Sequence, residues 1–253
     1  MDRVLYYTPQ KNKHHGDAVA DGFGCRKVST ERVIPGAMHF IGGMQFGNER
    51  ILAEVRRRKE PYVFFDRAYI GGGHGSNVLR AVVNAYQHHW VIPSRGPRSW
   101  GVELQPWQTS GDCIMLVPPS SFEVAALFDA YVWAEIMIDK LRKLTQRPVF
   151  VSRKGDTEPL SSRLRRCHAV VTFTSNVAVD AIIAGVPAIV SEHSAARPMS
   201  GHCEALTAEM IENPPRPERQ AWFDGLAWGQ FTVNEIATGF AAEHTGFKHS
   251  EAV

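Results

Sequence analysis

Residues 170–190 read Val170-Val171-Thr172-Phe173-Thr174-Ser175-Asn176-Val177-Ala178-Val179-Asp180-Ala181-Ile182-Ile183-Ala184-Gly185-Val186-Pro187-Ala188-Ile189-Val190. An apolar run, a turn of small polar residues, an apolar segment with one acid, Gly-x-Pro and a second apolar run predict a strand, a helix and a strand. The spans are Ala169 to Thr174, Asn176 to Ala184, and Ala188 to Val190. Thr174, Ser175 and Asn176 put hydroxyl and amide groups at the helix start, where free N–H groups and the helix dipole suit a phosphate. A serine there also serves as a simple cap. Asp180 follows Ser175 by five residues on the same helix. Acidic residues in other nucleotide folds accept bonds from ribose hydroxyls. Gly185 ends the helix and Pro187 stops it from continuing.

The same alternation extends in both directions. Upstream lie a strand over Cys113 to Val117, the turn Pro118-Pro119-Ser120-Ser121, and one long amphipathic helix from Phe122 to Leu144. A strand over Pro148 to Val151 follows, then Ser152-Arg153-Lys154-Gly155 and a short helix from Pro159 to Arg166. Ser120 and Ser121 either cap the long helix or form a second anion site. Further upstream, strands are predicted over Val4 to Tyr7, Lys27 to Ser29, Ala37 to Ile41, Tyr62 to Phe65 and His88 to Ile92. Helices are predicted over Ala18 to Phe23 and Asn48 to Arg58, the latter with Ile51, Leu52 and Val55 on one face. Residues 93–111, rich in Pro and Gly, read as a linker. Downstream, helices are expected at Glu204 to Ile211 and Val233 to Ala242. Strands alternating with helices predict an α/β fold with parallel sheets. The expected division is an N-terminal half over 1–105, a C-terminal half over 106–243, and a flexible tail over 244–253.

The composition is that of a globular chain. Of 253 residues, 44% are hydrophobic and 21% charged, so no disulfide or metal is needed as a staple. Four cysteines, widely spaced and without a C-x-x-C pair, exclude a zinc ribbon and a redox motif. No signal peptide or membrane span is read, and the expected location is the cytoplasm. The net charge of +2 permits a polyanionic partner without demanding one.

The pattern Ser-x-x-x-x-(Glu/Asp)-Ala-x-x-x-Gly-x-Pro after an apolar strand resembles the donor-binding half of GT-B glycosyltransferases. It is most similar to capsule and lipopolysaccharide transferases and the related nucleotide-sugar 2-epimerases. The resemblance runs best from Arg147 to Ser194. It implies two facing Rossmann-like halves with a cleft between them. It also implies a nucleotide-sugar donor, a UDP-sugar by expectation, with no bound cofactor and no metal. Ser175 and Asn176 would sit near the donor phosphates and Asp180 near the ribose, where the family usually has Glu. Arg153 and Lys154 would face the diphosphate; a solvated turn is the alternative.

Sugar transfer with inversion needs a base for the acceptor hydroxyl. In such enzymes the base comes from the N-terminal half. Asp66, Asp17 and His15 are the candidates, because they follow apolar strands. Asp66 is expected to be desolvated unless Arg67 offsets the burial. His193, Ser194 and His74 are expected to contact sugar or acceptor. His74 lies in Gly71-Gly72-Gly73-His74-Gly75, which lacks the Lys-Ser/Thr of a phosphate-binding P-loop. The run Arg56-Arg57-Arg58-Lys59 and the residues Trp90, Trp100 and Trp107 are compatible with a DNA face. At 253 residues the chain is short for a two-domain transferase and in this is similar to compact phage-type transferases, a resemblance that implies a hydroxymethylated pyrimidine in phage DNA as one expected acceptor. A cell-surface polysaccharide, nucleotide-sugar 2-epimerisation and a non-catalytic nucleotide-binding module are the alternatives.

Overall fold

The computed structural model describes residues 1–6, 13–30, 32–44, 47–71, 77–119 and 121–247. Its first elements are β1 (Arg3–Tyr6), α1 (Lys13–Phe23), β2 (Arg26–Val28), β3 (Met38–Gly42), α2 (Asn48–Arg58), β4 (Tyr62–Arg67) and β5 (Val78–Val83). Then come β6 (Cys113–Val117), α3 (Phe122–Leu127), α4 (Trp133–Leu144), β7 (Val149–Val151), α5 (Leu160–Arg165), β8 (Cys167–Thr172), α6 (Val177–Ile183), β9 (Ala188–Val190) and β10 (Gly201–His202). The chain finishes with α7 (Ala208–Glu212), α8 (Gln220–Trp228), β11 (Gln230–Thr232), α9 (Val233–Ala237) and α10 (Phe240–His244). Contacts divide it into two units, Met1–Tyr86 with Gly229–Val253, and Gln87–Trp228.

The first unit carries a sheet in the order β11-β5-β4-β3-β1-β2. Strands β1 to β4 pair in parallel, as expected. β5 runs antiparallel to β4, and β11 antiparallel to β5, so this sheet is mixed rather than parallel. Only ten residues separate Arg67 from Val78, too few for a parallel crossover. One face buries Leu5, Phe40 and Phe65 against Phe23 of α1, Ile236 of α9, and Ala241 and Ala242 of α10. A Cβ on Gly22 would stand 1.6 Å from the Ile236 carbonyl oxygen, so only glycine lets α1 and α9 approach this closely. Residues 229–247 therefore belong with the N-terminal strands and not with the second half as expected. The expected boundary at 105/106 falls inside the second unit. The expected tail also differs, since His244 closes α10 and Phe247 packs on Phe40. Residues 248–253 lie outside the described residues.

The second unit carries a fully parallel sheet in the order β10-β9-β8-β6-β7. Its strands are covered on both faces, which is why they read as continuous apolar runs. Ile114, Leu116, Val171 and Ile189 meet Met137 and Leu141 of α4 on one face. Met115 and Val170 meet Leu164 of α5 and Ala181 of α6 on the other. The segment expected as one long helix is two. Asp129 takes the left-handed conformation at φ 52° and breaks it between α3 and α4. His88 to Ile92 is irregular rather than a strand. All four cysteines are buried and free. Among the described residues, no helix is long and apolar enough to cross a membrane.

Candidate functional site

In the second sheet the chain enters at β6, adds β7 on one side, and then crosses to β8 on the other. The loops after β6 and β8 diverge there, and such a switch point is where open α/β sheets hold ligands, at the carboxyl ends of their strands. Adjacent strands lie about 4.8 Å apart, so the ends of β7 and β8 are about 10 Å from each other. Thr172 Oγ1 donates to the Val117 carbonyl at 2.7 Å and ties the ends of β8 and β6 together.

Asp180 is the residue with the clearest signature. It lies on α6, half-buried, and its carboxylate has no hydrogen-bond or ion-pair partner among the described residues. Burial alone pushes its pKa up to about 6. A carboxylate kept partly dry with nothing to satisfy it suits a ligand that brings its own donors. Ser175 Oγ accepts from the Val177 N–H at 3.3 Å, and Asn176 Oδ1 accepts from Gln87 Nε2 at 3.3 Å. Both side chains are half-buried beside the carboxyl end of β8.

At the end of β7, Asp156 shapes the turn. Its Oδ2 accepts from the Arg153 backbone N–H and from Arg163 Nη1, each at 2.8 Å. Arg163 also donates to Ser152 Oγ. The turn is held from below, while the Arg153 and Lys154 side chains stand exposed and without a partner among the described residues. Two uncommitted cations on a fixed turn suit phosphate or carboxylate oxygens. Ser121 acts as the cap of α3, accepting from the Val124 N–H at 3.4 Å. Ser120 lies outside the described residues.

After β9, His193 stacks on Phe128 at 4.5 Å between ring centres and keeps about a third of its side chain exposed. Ser194 is fully buried, and its Oγ accepts from the Ala196 N–H at 3.2 Å. It serves its own loop and offers no surface to a sugar, contrary to expectation. His74 lies outside the described residues.

The candidate bases belong to the first unit. Asp66 forms an ion pair with Arg80, not with Arg67, at 2.8 Å. Asp17 pairs with Lys27. His15, on α1, has an enclosed Nε2 without a hydrogen-bond partner among the described residues. Burial, and then the adjacent His14, hold its imidazole below the ordinary value. His15 and Asp17 stand on α1 rather than in the loop after the first strand where they are expected, and residues 7–12 lie outside the described residues. In the basic run on α2, Arg57 and Arg58 share the Glu54 carboxylate, which offsets part of its charge.

Sequence reasoning missed Asp156, Arg163 and Gln87. Asp156 had a local signal, an acid in a turn that can bond its own backbone. Gln87 had none, because its partners lie 87 to 108 residues away.

No protein-family model matches the sequence, and no curated protein matches it significantly. The fold is shared with solved structures. One is the Thermosulfurimonas dismutans KpsC β-Kdo 2,4-transferase, at a TM-score of 0.52 and 10% identity over 93% of this chain and 98% of that one. Another is the KpsC β-Kdo 2,7-transferase of the same organism, at a TM-score of 0.54 and 12% identity over 96% and 99%.

Proposed function

We propose that this chain is a glycosyltransferase that takes its sugar from a nucleotide-activated donor bound at the carboxyl ends of β6 to β9. Its acceptor is a hydroxyl of a bacterial polysaccharide. The observation that carries the reading is the Asp180 carboxylate together with Arg153 and Lys154 at one sheet edge, none of them with a side-chain partner among the described residues. An acid for ribose hydroxyls and cations for phosphate are the two chemistries a nucleotide requires. The fold shared with two sugar transferases supports the same class. Kdo transfer by those neighbours favours a glycan acceptor over a DNA base.

In this reading Asp180 accepts from the ribose. Arg153 and Lys154 neutralise charge that develops on the leaving phosphate. Ser175 and Asn176 line the phosphate path. Of the three candidate bases, Asp66 and Asp17 are committed to Arg80 and Lys27, whereas His15 carries no ion pair among the described residues and has an imidazole biased to the neutral form.

The test is a thermal-shift screen against UDP-, CMP-, GDP- and dTDP-sugars, followed by mass spectrometry of acceptors. The acceptors are a Kdo-containing glycan and duplex DNA carrying hydroxymethylated pyrimidines. The expected result is stabilisation by one nucleotide class and a sugar-sized mass gain on the glycan. A gain on the DNA alone would move the acceptor to nucleic acid. Absence of stabilisation by every nucleotide sugar would refute the donor site.

A further inference from the structure

Gln87 opens the second unit and is only 2% exposed, yet both ends of its side-chain amide are hydrogen-bonded. Nε2 donates to the Thr174 carbonyl at 2.8 Å and to Asn176 Oδ1 at 3.3 Å. Oε1 accepts from the Ala195 N–H at 2.7 Å. The partners fix the amide's orientation, because two are oxygens and the third is a backbone donor. Thr174 and Asn176 belong to the loop after β8, and Ala195 to the loop after β9. One buried side chain therefore spans both loops at the sheet edge that carries the candidate site. Trp222 Nε1 donates to the Ala195 carbonyl at 2.9 Å, so that loop is gripped from two sides. Ser191 Oγ adds a link to the Phe173 carbonyl at 2.8 Å.

Nothing about packing alone asks for an amide here, since Met or Leu would fill a similar volume. A buried amide bonded at both ends specifies one arrangement of its surroundings. We infer that Gln87 is a positioning residue: it sets the separation of the β8 and β9 loops and holds Asn176 in place for the nucleotide. The inference rests on the donor site proposed above.

Two variants separate its two ends. Gln87→Glu keeps the acceptor for the Ala195 N–H and loses the donor to Thr174 and Asn176. Gln87→Met keeps the volume and loses both. The probes are UDP, CMP, GDP and dTDP, titrated calorimetrically with the full chain, and amide hydrogen exchange followed residue by residue. Both variants are expected to weaken binding of the preferred nucleotide about tenfold or more, by unpairing buried groups. Only Gln87→Met is expected to accelerate exchange at Ala195, while β6 and β8 keep their protection in both. A purely structural role would lower the unfolding midpoint and leave nucleotide affinity unchanged. Wild-type affinity in both variants overturns the inference, as does unchanged Ala195 exchange in Gln87→Met. If the wild-type chain binds none of the four nucleotides, the donor reading falls, and the exchange data still judge the loop clamp by itself.

Discussion

Asp66 and Arg80 face each other across the antiparallel β4–β5 pair, with Arg80 Nη2 2.8 Å from Asp66 Oδ2. Arg80 is 1% exposed, and its guanidinium carbon lies 5.1 to 6.0 Å from the ring centres of Phe64, Tyr69 and Tyr86. A guanidinium stays charged in proteins, so this burial depends on a counterion. Asp66→Asn is expected to destabilise the chain by about 2 to 4 kcal/mol, less than for a fully buried pair because Asp66 keeps some exposure. Urea unfolding measures it. Loss of turnover at unchanged stability would instead mark Asp66 as the base.

Asp180 makes a prediction with a defined sign. An acid whose pKa rises on folding, here from 3.8 to about 6, binds its proton more tightly in the folded state. Stability from this group is complete below about pH 4 and is lost as pH rises through about 6. Asp180→Asn removes the burial of charge. It should stabilise the chain by about 1 to 3 kcal/mol at about pH 7.5, and by only about a third as much near pH 4.5. The same variant should lose nucleotide affinity, and wild-type affinity should decline as pH falls through about 6. Urea midpoints and calorimetric titrations at the two pH values test both halves. A variant less stable at pH 7.5 would show that Asp180 has a partner in the fold.

The second unit was the more legible in sequence, and the reason is burial. Strands covered on both faces, such as Ile114 to Leu116 and Ala169 to Val171, present unbroken apolar runs. Ser175, Asn176, Asp180, Arg153 and Lys154 could be proposed as site residues from sequence because each follows a strand in the chain within a few residues. In the first unit β5 was hidden by Arg80, a charge in the middle of Val78 to Val83 that Asp66, the Arg67 carbonyl and three rings make tolerable. β11 was hidden for a related reason. Gln230 reads as polar loop, yet it is buried and its Oε1 accepts from the Tyr69 and Ile70 N–H groups, some 160 residues away. The break between α3 and α4 rests on Asp129 in a left-handed conformation, with no glycine or proline to announce it.

Arg153 and Lys154 separate binding from stability. Both are exposed and neither carries a side-chain bond among the described residues, while Asp156 and Arg163 hold their turn without them. Arg153→Gln with Lys154→Gln should therefore leave the unfolding midpoint within about 0.5 kcal/mol of wild type. Nucleotide affinity should fall about tenfold to a hundredfold through lost charge-assisted bonds. Denaturation and calorimetry on the same preparation decide it. Unchanged affinity would exclude β7 from the site.

Gly185 tests the backbone that carries Asp180. It follows α6 at φ 83°, and a Cβ there would stand 2.0 Å from the Pro106 carbonyl oxygen. The Gln108 N–H donates to its carbonyl at 2.7 Å, so the segment around Pro106 lies directly against the end of the helix. Gly185→Ala meets both a left-handed backbone and a backbone clash that no rotamer relieves, and should cost about 2 to 4 kcal/mol. For a chain of this size that is a fall in Tm of about 4 to 16 °C. Gly155 provides the control. It also has a positive φ, 97°, but no atom stands within 4 Å of its Cβ position. Gly155→Ala should cost about 1 kcal/mol, the strain alone. Equal losses in the two variants would mean that the contact with Pro106 is absent and that α6 ends elsewhere.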